Sequence, residues 1–196
     1  MPDTMMPSSS VALDALLSRA SVPARTLLAP GPDERTLGVA VAAALRAPDH
    51  GGLRPWRFVV IEGEGRAKLG ALLADALAAR APDTPAERLQ LEREKPLRAP
   101  TVVVAGAAIR HGHKIPVWEQ EAAAAAGTMN FIHALEMSGF GGMWVSSDGL
   151  RDPAVKVGLG FAAADTLIGW LYVGTPPAER PRPERADPAG FFRRWG

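Results

Sequence analysis

The spacing of apolar and polar residues predicts five helices along the chain. Leu13, Leu16 and Leu17 share one face of the first, and Asp33 is placed to cap the second. The fifth and longest has Pro116 near its start and Gly139 just past its end, a distribution typical of helix termini. The predicted helices span residues 11–18, 33–45, 66–80, 84–95 and 116–138.

Runs of β-branched and aromatic residues predict four strands. The strands span residues 57–62, 101–107, 141–147 and 166–174, and they do not alternate regularly with the helices. This order favours an α+β fold over a doubly wound parallel sheet. We expect residues 1–10 to be a flexible lead-in and 11–196 to form a single domain, with a proline-rich extended tail over 175–188 and a closing segment FFRRWG.

Composition and charge exclude several classes of function. The 196 residues suffice for one well-buried core, and 22 basic residues stand against 21 acidic ones. This balance argues against binding to nucleic acid or to an anionic membrane. The absence of cysteine excludes disulfides, thiolate metal sites and thiol nucleophiles. Because no secretory signal or membrane span is recognisable, we expect a cytoplasmic protein.

Sequence motifs for several common enzyme classes are absent. The glycines of IEGEGR follow a strand, but Lys68 breaks the G-x-G-x-x-G spacing of a dinucleotide-binding turn. The chain has no phosphate-binding loop, no G-x-S-x-G elbow and no evident acid–base pair of carboxylates. If the protein is an enzyme, a bound cofactor is expected to carry the chemistry.

The four histidines leave a second class of function open. His111 and His113 form a His-x-His element that could ligate a metal in a hydrolase, although no third ligand is evident at a suitable spacing. His133 falls within the longest helix, where packing or an interface is the simpler explanation. His50 lies in the irregular tract 46–55, as a solvated residue or as part of a site.

Small residues in the longest helix also allow two interpretations. Ala122–Ala126 and Gly127 let another helix approach closely. That helix could belong to the same chain, in an ordinary core, or to a second subunit.

Five stretches of the sequence resemble the FMN-dependent nitroreductase family, and within it the compact YdjA-type branch of NAD(P)H nitroreductases. The tract LRAPDH with PWRFVVIEGEGR is highly specific, and the Arg19-x-Ser21 element is weak when taken alone. The resemblance runs from about Leu13 to Phe192, and the remaining matches are KIPVWEQE, GFGGMW and GWLYVGTP.

The resemblance implies a three-layer α+β fold with a central, mostly antiparallel sheet, in an intertwined homodimer. It implies two FMN molecules in clefts built from both subunits, with the longest helix forming much of the interface. It also implies a ping-pong reaction, in which NAD(P)H reduces the flavin and a small acceptor, such as a nitroaromatic or a quinone, reoxidises it.

Several residues match the family's FMN-binding positions. Arg19 and Ser21 correspond to the pair that holds the flavin phosphate, a role that suits a guanidinium and a hydroxyl. Ala20 would contribute its backbone. Arg46 and His50 correspond to residues that reach the FMN shared with the partner subunit.

Two further stretches match positions along the flavin ring and the nicotinamide nucleotide. Trp144, Val145 and Ser146 correspond to residues that line the isoalloxazine. The end of the longest helix corresponds to the stretch that binds NAD(P), namely Ala134, Leu135, Glu136, Met137, Ser138 and Gly139.

The sequence departs from the family pattern before the Pro-Trp pair. Gly52 and Arg54 stand where the family usually has Asn and Gln, which removes a side-chain amide and adds a charge. The usual doubled arginine is reduced to Arg19, and Arg180 and Arg182 could compensate at the phosphate. With a site altered in this way, the alternative to an enzyme is a flavin-binding dimer with little turnover. The sequence does not identify the acceptor or the preferred nicotinamide donor.

Overall fold

The computed structural model describes residues 11–179 and 184–196. The expected lead-in and both Arg180 and Arg182 lie outside this part of the chain. The helices are α1 (Val11–Ser18), α2 (Glu34–Ala44), α3 (Gly65–Arg80), α4 (Ala86–Glu94), α5 (Val117–Met137) and α6 (Pro153–Gly158). The strands are β1 (Trp56–Glu62), β2 (Thr101–Ala107), β3 (Gly141–Val145) and β4 (Thr166–Gly174).

The four strands form one sheet in the order β1-β2-β4-β3, and every pairing is antiparallel. All seven residues of β2 are buried, because this strand lies inside the sheet and is covered on both faces. β3 is five residues long and forms an edge of the sheet. The α+β class and the antiparallel sheet predicted from the sequence are confirmed.

Helices cover both faces of the sheet and produce three layers. On one face, α2 and α5 bury a cluster around Phe131, Val103 and Leu171. On the other, α3 and α6 bury Val102, Leu73 and other apolar side chains. Neighbouring residues of a strand point to opposite faces, so the side chains of β3 are divided between these two clusters.

Some strand and helix boundaries differ from the predicted ones for local reasons. β3 ends at Val145 rather than Ser147, and the Ser147 hydroxyl instead accepts a hydrogen bond of 3.0 Å from Trp170 Nε1. The sequence pattern did not predict α6, because six residues are too few to show helical periodicity. Its boundary signals were nevertheless present, since Asp152 caps the Ala154 amide at 2.9 Å and Pro153 occupies the first turn.

The small residues of α5 fall on two faces of the helix. Ala123, Ala124 and Gly127 are buried within the chain, whereas Ala122 and Ala126 are exposed. The buried face packs against α2 and Trp56. An ordinary core within one chain therefore accounts for half of the small residues in this stretch. Among the described residues, no helix is both long and apolar enough to cross a membrane.

Candidate functional site

Edge strand β3 brings two of the matched segments together. The Val22 amide donates a 3.0 Å hydrogen bond to the Gly142 carbonyl, which fixes the segment after α1 beside this strand. Gly141 permits the close approach, because a Cβ there would lie 2.9 Å from Val22 Cγ2. The GFGGM turn thus places Arg19 and Ser21 next to the strand that carries Val145.

Arg19 and Ser21 form a small donor set at this edge. Arg19 Nη1 lies 3.5 Å from the Ser21 hydroxyl oxygen, and Ser21 is exposed. Arg185 in the tail donates a hydrogen bond to the Arg19 carbonyl. Burial and then the charge of Arg19 lower the pKa of His133 below its ordinary value. A guanidinium and a hydroxyl in this arrangement suit a phosphate or another oxyanion.

A cavity of about 320 Å³ opens beneath β3 on the α3 face of the sheet. Val145 and Ser146 line it, whereas the indole of Trp144 lies on the opposite face, across Gly169 of β4. The cavity wall is mostly apolar and includes Leu69, Leu73, Val102, Met143, Trp170, Pro23 and Pro96. An apolar slot with a few polar groups is typical of a small-molecule site.

Basic side chains stand at the polar edge of this cavity. Lys95 and Arg98 line it, and Arg98 Nε is buried without a hydrogen-bond partner among the described residues. Burial raises the pKa of the Tyr172 hydroxyl, the charge of Arg98 lowers it, and Glu92 raises it. The electrostatic fields of Arg98 and Glu92 therefore extend to the cavity wall, where Tyr172 lies. The orphaned Nε favours a ligand that supplies an acceptor atom.

The sequence did not point to Lys95, Arg98 and Tyr172 as site residues. Lys95 ends a strongly charged helical stretch, where a basic residue is usually solvated. The one available signal was the basic pair of KPLR directly before the buried strand β2. Only the packing of the turn Lys95–Arg98 against α3 brings these side chains to the cavity that residues of β3 and β4 also line.

His50 lies apart from Arg19 within one chain, and Arg46 follows the C-terminal end of α2. His50 Nδ1 is 2.7 Å from Glu119 Oε2 in the first turn of α5. A carboxylate only accepts hydrogen bonds, so Nδ1 of His50 is the donor in this contact. Arg19 lies near His133, fourteen residues further along α5, and that length of helix rises about 21 Å. Within a single chain, His50 and Arg19 are therefore far apart.

The stretch matched to the nicotinamide nucleotide forms the last turn of α5 and its cap. Leu135 is buried, whereas Met137, Ser138 and Gly139 are exposed. Gly139 has a φ of +91°, which suits glycine at a helix end. The position of Arg19 near His133 places this turn at the same end of the molecule as the donor set.

Arg54 occupies an unusual backbone conformation in the irregular tract. Its φ is +53°, whereas the other residues of positive φ in the described chain are glycines. The Asp49 carboxylate accepts hydrogen bonds from the Leu53 amide at 3.0 Å and from the Arg54 amide at 2.7 Å. These two bonds hold the tract in shape and leave the Arg54 side chain exposed.

His111 and His113 each have a hydrogen-bond partner within the chain. His111 Nε2 lies 3.3 Å from the Ala164 carbonyl, and His113 Nδ1 accepts a 3.1 Å hydrogen bond from the Ile115 amide. Within residues 11–179 and 184–196, no group of three or more His, Cys, Asp or Glu side chains is arranged to hold a metal ion.

Comparison with known proteins identifies the family. The model of the Nitroreductase family matches residues 16–175. The chain is 38% identical over 165 residues to "Putative NAD(P)H nitroreductase YdjA" of Escherichia coli K12, covering 84% of this chain and 88% of that protein.

Solved structures share the fold. A nitroreductase-like family protein from Bacillus cereus superposes with a TM-score of 0.81 at 22% identity, covering 97% of this chain and 98% of that one. A Bacteroides fragilis nitroreductase with bound FMN gives a TM-score of 0.70 at 17% identity, covering 96% of this chain and all of the other. The family match and the identity to the Escherichia coli protein agree with the fold, and this chain belongs to the nitroreductase family.

Proposed function

We propose that the protein is an FMN-dependent NAD(P)H oxidoreductase of the nitroreductase type. The observation that carries this proposal is the position of an oxyanion donor set, Arg19 and Ser21, beside an apolar cavity edged by cations. Edge strand β3 joins the two features. The FMN bound to the Bacteroides fragilis relative and the name of the Escherichia coli relative support the same function.

The described residues fit FMN chemically. Arg19 and Ser21 would hold its phosphate, because charge-assisted donors match phosphate oxygens. Val145 and Ser146 would line the isoalloxazine, and the apolar cavity walls suit a flat ring. The unpartnered Nε of Arg98 would donate to a carbonyl oxygen of the ring.

FMN, when bound, supplies ping-pong redox chemistry, taking a hydride from NAD(P)H and passing electrons to an acceptor such as a nitroaromatic or a quinone. The protein's own contribution is binding, orientation and exclusion of water. The apolar side chains of the cavity keep water from one side of the site, and the basic residues at its edge favour negative charge. Residues 134–139, at the same end of the molecule as Arg19 and Ser21, would bind the nicotinamide nucleotide.

The proposal includes a homodimer, because one chain leaves part of the site unmatched. Arg46 and His50 would meet the cofactor held by Arg19 of the partner subunit, since His50 and Arg19 lie near opposite ends of α5 within one chain. Large apolar side chains also stand exposed, among them those of Trp118 and Met137 on α5 and of Phe191, Phe192 and Trp195 in the tail. A second copy of this chain would cover them.

Reconstitution followed by reduction tests the function. Apoprotein should bind FMN stoichiometrically, and anaerobic NADH or NADPH should then bleach the flavin absorbance, which an added acceptor restores. Bound FMN that neither donor bleaches would refute the enzyme and leave a flavin-binding protein. Failure to bind FMN would refute the whole proposal.

A substitution at the donor set tests the site. Arg19→Ala should weaken FMN binding about tenfold to a hundredfold, because a charge-assisted contact to phosphate is lost. Arg35→Ala, an exposed arginine on α2, is the matched control and should bind FMN normally. Equal affinity of wild-type protein and Arg19→Ala would contradict the phosphate assignment.

A further inference from the structure

A buried carboxylate lies behind the basic edge of the cavity. Glu92, in the last turn of α4, is only 7% exposed. Lys95 Nζ lies 2.6 Å and 2.7 Å from its two carboxylate oxygens, and Lys95 itself is 22% exposed. Arg88 Nη2 lies 3.0 Å from the same carboxylate on the outer side, where its side chain is half exposed. The ammonium that lines the cavity is therefore tied to a buried acid.

The geometry of this pair fixes the Lys95 side chain. Two short contacts to one carboxylate leave the flexible lysine stem little freedom, so the ammonium is held at the wall and does not extend into the cavity. Glu92 also offsets much of the charge of Lys95 at the cavity, because the two opposite charges lie only 2.6 and 2.7 Å apart. Arg98 Nε, by contrast, has no hydrogen-bond partner among the described residues.

Tyr172 lies in the cavity wall and is close enough to both charges to be affected by them. Burial raises the pKa of its hydroxyl, Arg98 lowers it, and Glu92 raises it. A ligand in this space meets the same fields. The exposed carboxylate of Glu94, two residues away, instead accepts a 2.9 Å hydrogen bond from Gln90 and has no place in the wall.

We infer that Glu92 is a positioning residue which holds Lys95 at the cavity wall and sets the redox potential of the flavin bound there. The inference rests on the proposed function. Two-electron reduction adds negative charge to the flavin, so an uncompensated lysine favours the reduced form and an uncompensated glutamate opposes it. The Glu92–Lys95 pair keeps this contribution near zero.

A double-substitution cycle tests the sign of each charge. Glu92→Gln should favour reduced over oxidised FMN about tenfold, a rise in potential of about 30 mV for a two-electron couple. Lys95→Met leaves the carboxylate without its inner partner and should shift the potential downward by a similar amount. The doubly substituted protein should return close to the wild-type potential. Glu94→Gln is the matched control and should not change it.

Equilibrium redox titration of the reconstituted proteins against a reference dye measures these shifts, and FMN affinity is measured in parallel on the apoproteins. Shifts of the same sign for Glu92→Gln and Lys95→Met, or an equal shift for Glu94→Gln, would overturn the inference. Wild-type binding of FMN with unchanged potential in both variants would overturn it while leaving the proposed function intact. Absence of FMN binding by the wild-type protein would overturn both.

Discussion

Replacement of Gly127 by alanine should destabilise the protein strongly. Gly127 lies inside α5, and a Cβ there would be 2.2 Å from Trp56 Nε1 and 3.0 Å from the Ala44 carbonyl oxygen. The indole nitrogen also donates a buried 2.8 Å hydrogen bond to the Ala123 carbonyl. The added methyl group must therefore displace Trp56, break this bond or push α2 away from α5.

The magnitude follows from three contributions. Overpacking costs about 1–3 kcal/mol, and loss of the buried indole hydrogen bond costs about 1–3 kcal/mol. The higher helix propensity of alanine stabilises the helix by about 1 kcal/mol, so the free energy of unfolding should fall by about 3 kcal/mol in total. For a chain of this size, that loss lowers the Tm by about 6–12 °C.

Thermal unfolding followed by circular dichroism provides the assay, at one fixed protein concentration because the proposed dimer would make the Tm depend on concentration. Gly38→Ala in α2 is the control, since a Cβ there meets nothing within 4 Å. That variant should gain about 0.5–1 kcal/mol from helix propensity and unfolded-state entropy. A Tm for Gly127→Ala equal to or above that of the wild type would refute the close-packing argument.

Four further outcomes are expected. Burial and the charge of Arg19 lower the pKa of His133, so the unfolded chain binds a proton at this residue more readily than the folded chain. The free energy of unfolding should therefore fall as the pH drops below the ordinary histidine pKa, and His133→Gln should remove this pH dependence. Inorganic phosphate or FMN beside Arg19 should raise the pKa of His133 in an NMR titration, and an unchanged value would exclude an anion at that place. Arg54→Gly should stabilise the fold by about 1 kcal/mol in denaturant unfolding, because a φ of +53° strains a side-chain-bearing residue; a loss of stability would show that the arginine makes compensating contacts. Asp152→Ala should cost about 1–3 kcal/mol by the same assay, since the α6 cap and the partner of Arg80 at 2.9 Å disappear together; Asp152→Asn should retain the cap and lose less.

The sequence by itself determined the elements and the family. Buried strands such as TVVVAGA carry β-branched runs, and long helices carry caps and periodic apolar residues, so both are visible in local pattern. The tract from Arg46 to Arg66 was long enough to indicate the family, which implied the three layers and the antiparallel sheet. Local chemistry alone did not single out Arg19 and Ser21; the resemblance did, and their guanidinium and hydroxyl suit an oxyanion.

Only the tertiary structure decided which of those residues share a site. Strand order and register place Val145 and Ser146 over a cavity that also contains Lys95 and Arg98, about fifty residues earlier in the chain. Sequence pattern cannot supply this information, because such neighbours are set by long-range packing and not by spacing along the chain. For the same reason, a charged stretch that reads as a solvated helix contains Glu92, a buried acid. The separation of His50 from Arg19 also follows from the length of α5 and the contacts at its two ends.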